Sequence, residues 1–122
     1  MLVLRRRIGE ALALFDAEDG ERLLDIEYTG RTEDAIIIET VRPDGERHAY
    51  PLQRGEQVNL EGQIQRRFLV VQYSGIHNRK NQATFCIFGA RNKIKVFRRE
   101  LLDRGEGSAK ETKKENDISE NQ

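Results

Sequence analysis

The chain has no tryptophan, one cysteine, one methionine and two prolines, and only eight of its 122 residues are Phe or Tyr. Its apolar content therefore falls on Leu, Ile and Val, which suits a small β-rich domain with thin layers. A single cysteine excludes a disulfide within the chain. Cys86 stands in the run Phe85-Cys86-Ile87-Phe88, where a buried, inert thiol is expected. No apolar run approaches the roughly 20 residues that span a bilayer. Arg5, Arg6 and Arg7 are followed by Glu10 before any apolar stretch develops, so no signal peptide is read and a soluble, cytoplasmic protein without membrane contact is expected. His48 and His77 stand far apart without companions at ligand spacing, so no metal site is expected. Neither a Gly-rich phosphate loop nor a nucleophile motif is present. The expectation is a protein with no catalytic residues and no cofactor.

Charged residues make up 34% of the chain and hydrophobic ones 37%, so one modest core under a heavily charged surface is expected. The formal net charge is zero, but its distribution is uneven. Residues 1–9 carry three Arg and no acid, whereas residues 10–46 carry twelve acids against three Arg. Residues 61–104 return to ten basic residues against three acids, and the segment from 105 onward is mildly acidic. A polyanion would be drawn to the surface made by the N-terminus and the second half.

Hydrophobic residues follow period two almost throughout. Leu24, Ile26 and Tyr28 alternate with Asp25, Glu27 and Thr29, and Leu69, Val71 and Tyr73 repeat the pattern. Ala35 to Val41 and Ala83 to Phe88 read as central strands. Asp19-Gly20, Gly30, Pro43-Asp44-Gly45, Gly55 and Gly75 read as turns. One short helix is expected over 98–104, stopping at Gly105. Residues 105–122 are too polar to repay their ordering entropy and read as a disordered tail. The fold class is all-β: a small antiparallel β-barrel or sandwich of about nine to ten short strands, with one C-terminal helix.

The chain also repeats itself. Leu24 to Gly30 lies over Leu69 to Gly75 at an offset of 45, and Gly9 to Leu14 lies over Gly55 to Leu60 at an offset of 46. Ala35-Ile36-Ile37-Ile38 matches Ala83-Thr84-Phe85-Cys86 if three residues are inserted in the Ile76–Gln82 loop. The reading is a single domain over 1–104, made of two units of about 1–52 and 47–104. Glu46 to Pro51 serves as the last strand of the first unit, the first strand of the second, or both.

Two segments interleave apolar and basic residues: Leu2-Val3-Leu4-Arg5-Arg6-Arg7 and Lys93-Ile94-Lys95-Val96-Phe97-Arg98-Arg99. In the first, Arg6 shares a face with Leu2 and Leu4, while Arg5 and Arg7 share the other. Paired antiparallel, the two segments would form a basic ribbon at a sheet edge. Arg79-Lys80 offers an auxiliary basic pair in a loop.

The opening Met-Leu-Val-Leu-x-Arg-Arg-Ile-Gly-Glu over residues 1–10 resembles the first strand of the carbon storage regulator (CsrA/RsmE) family. Ala90 through Leu101, above all Val96-Phe97-Arg98-Arg99-Glu100, resembles that family's last strand and the start of its helix. The two motifs cover only about twenty residues. The chain is about twice the usual family length, and Arg91, Phe97 and Arg99 stand where the family commonly has Pro, His and Glu. The resemblance implies an intertwined dimer of five-stranded chains that grips GGA in hairpin loops of messenger RNA leaders and so controls translation. Here the two units would form that dimer within one chain, a monomeric pseudo-dimer; an ordinary homodimer is the alternative. By position, the RNA contacts carry over to Leu4, Arg6, Arg7 and Arg98, with Arg5, Lys95 and Arg99 extending the basic surface. The counterpart site, Arg47 to Gln53, lacks an Arg pair and contains Pro51, and reads as degenerate. Partners would be single-stranded or hairpin mRNA, or a regulatory small RNA. The alternative is a protein-interaction or decoy member of the same fold.

Overall fold

A computed structural model describes residues 1–64, 68–77, 82–89 and 93–103. Two antiparallel sheets enclose one core. The strands are β1 (Leu2–Arg6), β2 (Ala11–Asp16), β3 (Arg22–Arg31), β4 (Ala35–Val41), β5 (Arg47–Gln53), β6 (Gln57–Asn59), β7 (Leu69–His77), β8 (Gln82–Gly89) and β9 (Ile94–Arg98), followed by helix α1 (Arg99–Asp103). One sheet runs β1-β8-β7-β6 and the other β5-β4-β3-β2-β9. The fold is all-β, as expected. The expected tail, together with Arg79-Lys80, Ala90 and Arg91, lies outside the described residues.

The two repeats exchange their first strands. β1 pairs with β8 of the second repeat, and β5 pairs with β4 of the first. Glu46 to Pro51 thus resolves as the opening strand of the second repeat. β9 lies on β2, again across repeats, and among the described residues the first repeat supplies no matching fifth strand beside β6. Pro51 sits on an edge strand, where a missing N–H is tolerated.

The backbone hydrogen bonds of the two Gly-Glu turns match one another. Gly9 N–H donates to Tyr28 O at 2.7 Å and Gly55 N–H to Tyr73 O at 2.7 Å; Glu10 N–H donates to Arg7 O and Glu56 N–H to Gln53 O, both at 2.9 Å. In each turn a glutamate carboxylate accepts the N–H three residues earlier at 2.7 Å, Glu10 from Arg7 and Glu56 from Gln53. Gly9 and Gly55 have φ of 94° and 89°, a region that side-chain-bearing residues avoid.

Several sequence expectations need correction. Gly30 and Gly75 are not turns; each marks a bulge inside a strand, after Tyr28 in β3 and after Tyr73 in β7. The ladders place Tyr28 opposite Ile38 and Tyr73 opposite Phe85, so Ile36 and not Ala35 corresponds to Ala83. The insertion is two residues rather than three, since a one-residue slip would turn every buried side chain outward. Cys86 is only half-buried, because the core face of β8 carries Ala83, Phe85 and Ile87; its Sγ lies 3.2 Å from Ser74 Oγ on the outer face.

The core gathers Leu14, Leu24, Ile36, Ile38, Leu69, Val71, Ile87, Ile94 and Val96 from both sheets. Tyr28 and Tyr73 occupy equivalent buried positions, and both rings meet Phe85, with centroids at 5.7 and 6.2 Å. Where β2 continues into Phe15 and Asp16, the second repeat instead turns at Leu60 into a 3-10 helix, Glu61–Gln63, and buries Ile64. Gln63 accepts from the buried Thr40 hydroxyl at 2.8 Å and hydrogen-bonds Tyr50.

Candidate nucleic-acid interface

The basic segments do not pair as a ribbon. β1 is the edge of the four-stranded sheet, and β9 is the edge of the five-stranded one. The partners chosen instead, Leu2 to Arg6 on Ile87 to Ala83 and Ile94 to Arg98 on Asp16 to Leu12, bury Leu2, Ile94 and Val96 in the common core. A two-stranded ribbon would have left these side chains half in water.

A side-chain clasp joins the two edges. Arg6, on the inward face of β1, is 7% exposed, and its Nη1 donates to both oxygens of Glu100 at 3.0 Å. Its Nε donates to Arg5 O at 2.9 Å and lies 3.9 Å from Glu10. Burial pushes the Glu100 carboxyl upward, but its helix-start backbone hydrogen bond and the Arg6 and Arg98 guanidiniums outweigh this and hold its pKa below the usual value. Arg6 thus holds the Glu100 carboxylate directly, while Arg98, on the opposite sheet, acts on it only through its charge and makes no ion pair with it.

Arg99 is engaged elsewhere. It hydrogen-bonds Glu27 and lies 3.6 Å from Asp25, while Arg47 reaches Glu27 and Glu39 at 3.1 Å and Arg22 pairs with Asp25 at 2.8 Å. This network lies across the outer face of β3, β4 and β5. Burial raises the pKa of Glu27, yet the two arginines lower it overall. Arg99 is held on the acidic face rather than presented to a ligand.

Arg5, Arg7 and Arg98 are exposed and form no ion pair among the described residues. Leu4 is half-buried against the core, and Lys95 lies partly covered on the outer face of β9, beside Phe97. Phe97 stacks edge-on against Phe15 at 5.2 Å. Position by position, the ladders put Tyr50, Pro51 and Leu52 where the other edge has Leu4, Arg5 and Arg6, and the paired turns put Gln53 where it has Arg7. The second edge therefore has none of these three cations and, among the described residues, no neighbouring fifth strand.

The Glu100 clasp and the Arg99 network were not foreseen from sequence. No local spacing signals them, since the partners stand 94 and 72 residues apart. Among the described residues no group of three or more His, Cys, Asp or Glu is placed to hold a metal, and no helix is long and apolar enough to cross a membrane. No protein-family model, curated protein or solved structure matches the chain.

Proposed function

We propose that the chain is a cytoplasmic RNA-binding translational regulator of the carbon storage regulator type, taking GGA in the loop of a messenger RNA leader hairpin at one site per chain. The observation that carries this reading is the gathering of exposed arginines, Arg5, Arg7 and Arg98, with no ion pair among the described residues, on two sheet edges tied together by Arg6 and Glu100. Arg22, Arg42, Arg47 and Arg99 are all matched by carboxylates. A guanidinium left without a carboxylate is available for phosphate, for the O6/N7 edge of guanine, or for stacking on a base. Loop nucleotides are the readable part of RNA because their bases can be splayed from the stack. Arg6 serves on this reading as a positioning residue, with Arg7 and Arg98 as the contacts.

A gel-shift titration with a GGA-loop hairpin and its loop-scrambled control tests the proposal. Selective binding of the first is expected, and equal or absent binding of both overturns it. A second reading, a protein-interaction or decoy member of the same fold, draws on β6, the edge strand whose counterpart β2 is covered by β9. On that reading neither hairpin shifts, and substitutions at Gln57 or Asn59 abolish partner binding.

A further inference from the structure

Arginines without a carboxylate partner fall in two places among the described residues. One is the edge pair just considered. The other is Arg31 and Arg54, which come from different repeats and line one open cavity of about 520 Å3 together with Tyr73 and Gly75. We propose that Arg31 and Arg54 form a phosphate-binding site, separate from the Arg7 and Arg98 contacts.

Three observations carry it. The first is the construction of the pocket. Gly75 has φ +131°, and a Cβ there would stand 3.2 Å from Arg54 Nε, so the bare backbone leaves the room in which the Arg54 guanidinium lies. The second is electrostatic: burial raises the Tyr73 hydroxyl pKa, while Arg31 and Arg54 both oppose that rise, so two positive charges act on one buried ring. The third comes from the duplication. The repeated turns and ladders place Ile8 where the second repeat has Arg54, and Ile76 where the first has Arg31. The fold therefore builds both positions with isoleucine, and packing does not require an arginine at either.

Glu33 and Asp34 stand on the same cavity wall, yet neither is ion-paired to either arginine. Two guanidiniums with about ten N–H donors between them line this open cavity without a carboxylate partner among the described residues, and a phosphate offers the oxygens that fit such a fork.

The phosphate can be that of an RNA backbone or of a free phosphorylated small molecule, and only the first source rests on the RNA reading. The test follows arginine Nε–Hε signals of the full chain by NMR, during titration with orthophosphate and separately with the GGA-loop hairpin. Arg54→Ile and Arg31→Ile copy the residues found at the equivalent positions, so the fold accommodates them, and circular dichroism checks that it does. Orthophosphate is expected to move the Arg31 and Arg54 signals but not that of Arg42, and each variant is expected to weaken it about tenfold or more. If the source is RNA, both variants also weaken the hairpin and lower its salt slope by about one. If it is a free phosphate, hairpin affinity stays unchanged. Arg31 and Arg54 signals that move with neither probe, or variants that bind both probes as tightly as wild type, overturn the site. Hairpin binding that fails altogether while orthophosphate still moves both signals sinks the RNA reading alone.

Discussion

Replacing Glu100 by glutamine removes the charge that ties β1 to the end of β9 while keeping the side chain's shape. The Arg6 side chain is 9% exposed and that of Glu100 41%. The pair is therefore half in water, and the several-kcal/mol cost of breaking a fully buried pair does not apply. A hydrogen bond to a charged group contributes about 1.5–3 kcal/mol, and glutamine keeps one of the two acceptors, so a loss of about 1 kcal/mol is expected at pH 7. For a domain of this size that corresponds to a fall of about 4–8 °C in Tm. The pH dependence gives the sharper check. Glu100 has a folded pKa below its ordinary 4.5, so its contribution is fully present above that value and is lost as pH falls through the lowered one. Urea unfolding of wild type and Glu100→Gln should therefore differ at neutral pH and converge in acid, where wild-type Glu100 is also neutral. A gap that is absent at pH 7, or one that persists unchanged in acid, would refute the clasp.

Arg98→Ala should weaken hairpin binding by about 1–3 kcal/mol, as for a specific bidentate contact, while Arg42→Ala, paired with Asp44 and Glu46, should leave a gel-shift titration unchanged; equal effects would remove the site assignment. With about four cations neutralising phosphates of single-stranded loop RNA, log K should fall with log[salt] at a slope near −3, and a flat salt dependence would show that the basic edges do not meet phosphate. Light scattering should give a solution mass near 14.1 kDa with one hairpin bound per chain; twice that mass would mean that copies associate. Gly9→Ala and Gly55→Ala should each cost about 1–2 kcal/mol in denaturant unfolding, because both force a side chain into the left-handed region. A large cost at only one would show that the two turns are not equivalent.

What could be read from the sequence was what local chemistry determines. The Gly-Glu turns at 9–10 and 55–56, the alternation through Tyr28 and Tyr73, and the helix after Arg98 depend on neighbours a few residues away. Even the two faces of β1 were legible, with Arg6 inward and Arg5 and Arg7 outward. Strand partners were not. A basic–apolar alternation announces a strand edge but not whose edge it joins, and β1 and β9 resembled each other enough to suggest a pairing that the shared core forbids. The glycines of the bulges carried the same ambiguity, since a glycine in an alternating run suits a turn or a strand irregularity alike. The charge state of the site was least legible: three consecutive arginines look equivalent, yet Arg6 is bound to a carboxylate 94 residues away and its neighbours are not.

The exchange of first strands has a consequence for the chain as it is made. β1 leaves the ribosome about 80 residues ahead of its ladder partners, Ala83 to Ile87, so the strand has no place in its sheet until they have been synthesised. At about 5–20 residues per second, that is a wait of roughly 4–17 seconds. Throughout it, Leu2, Leu4 and the three arginines stay in solvent or on whatever binds them. The first repeat likewise lacks β5 and β9 over most of that interval, so neither half can close its apolar face in turn. Closure of the two sheets consequently waits for β8 and β9, and a chain cut before β9 leaves β2 as an open edge.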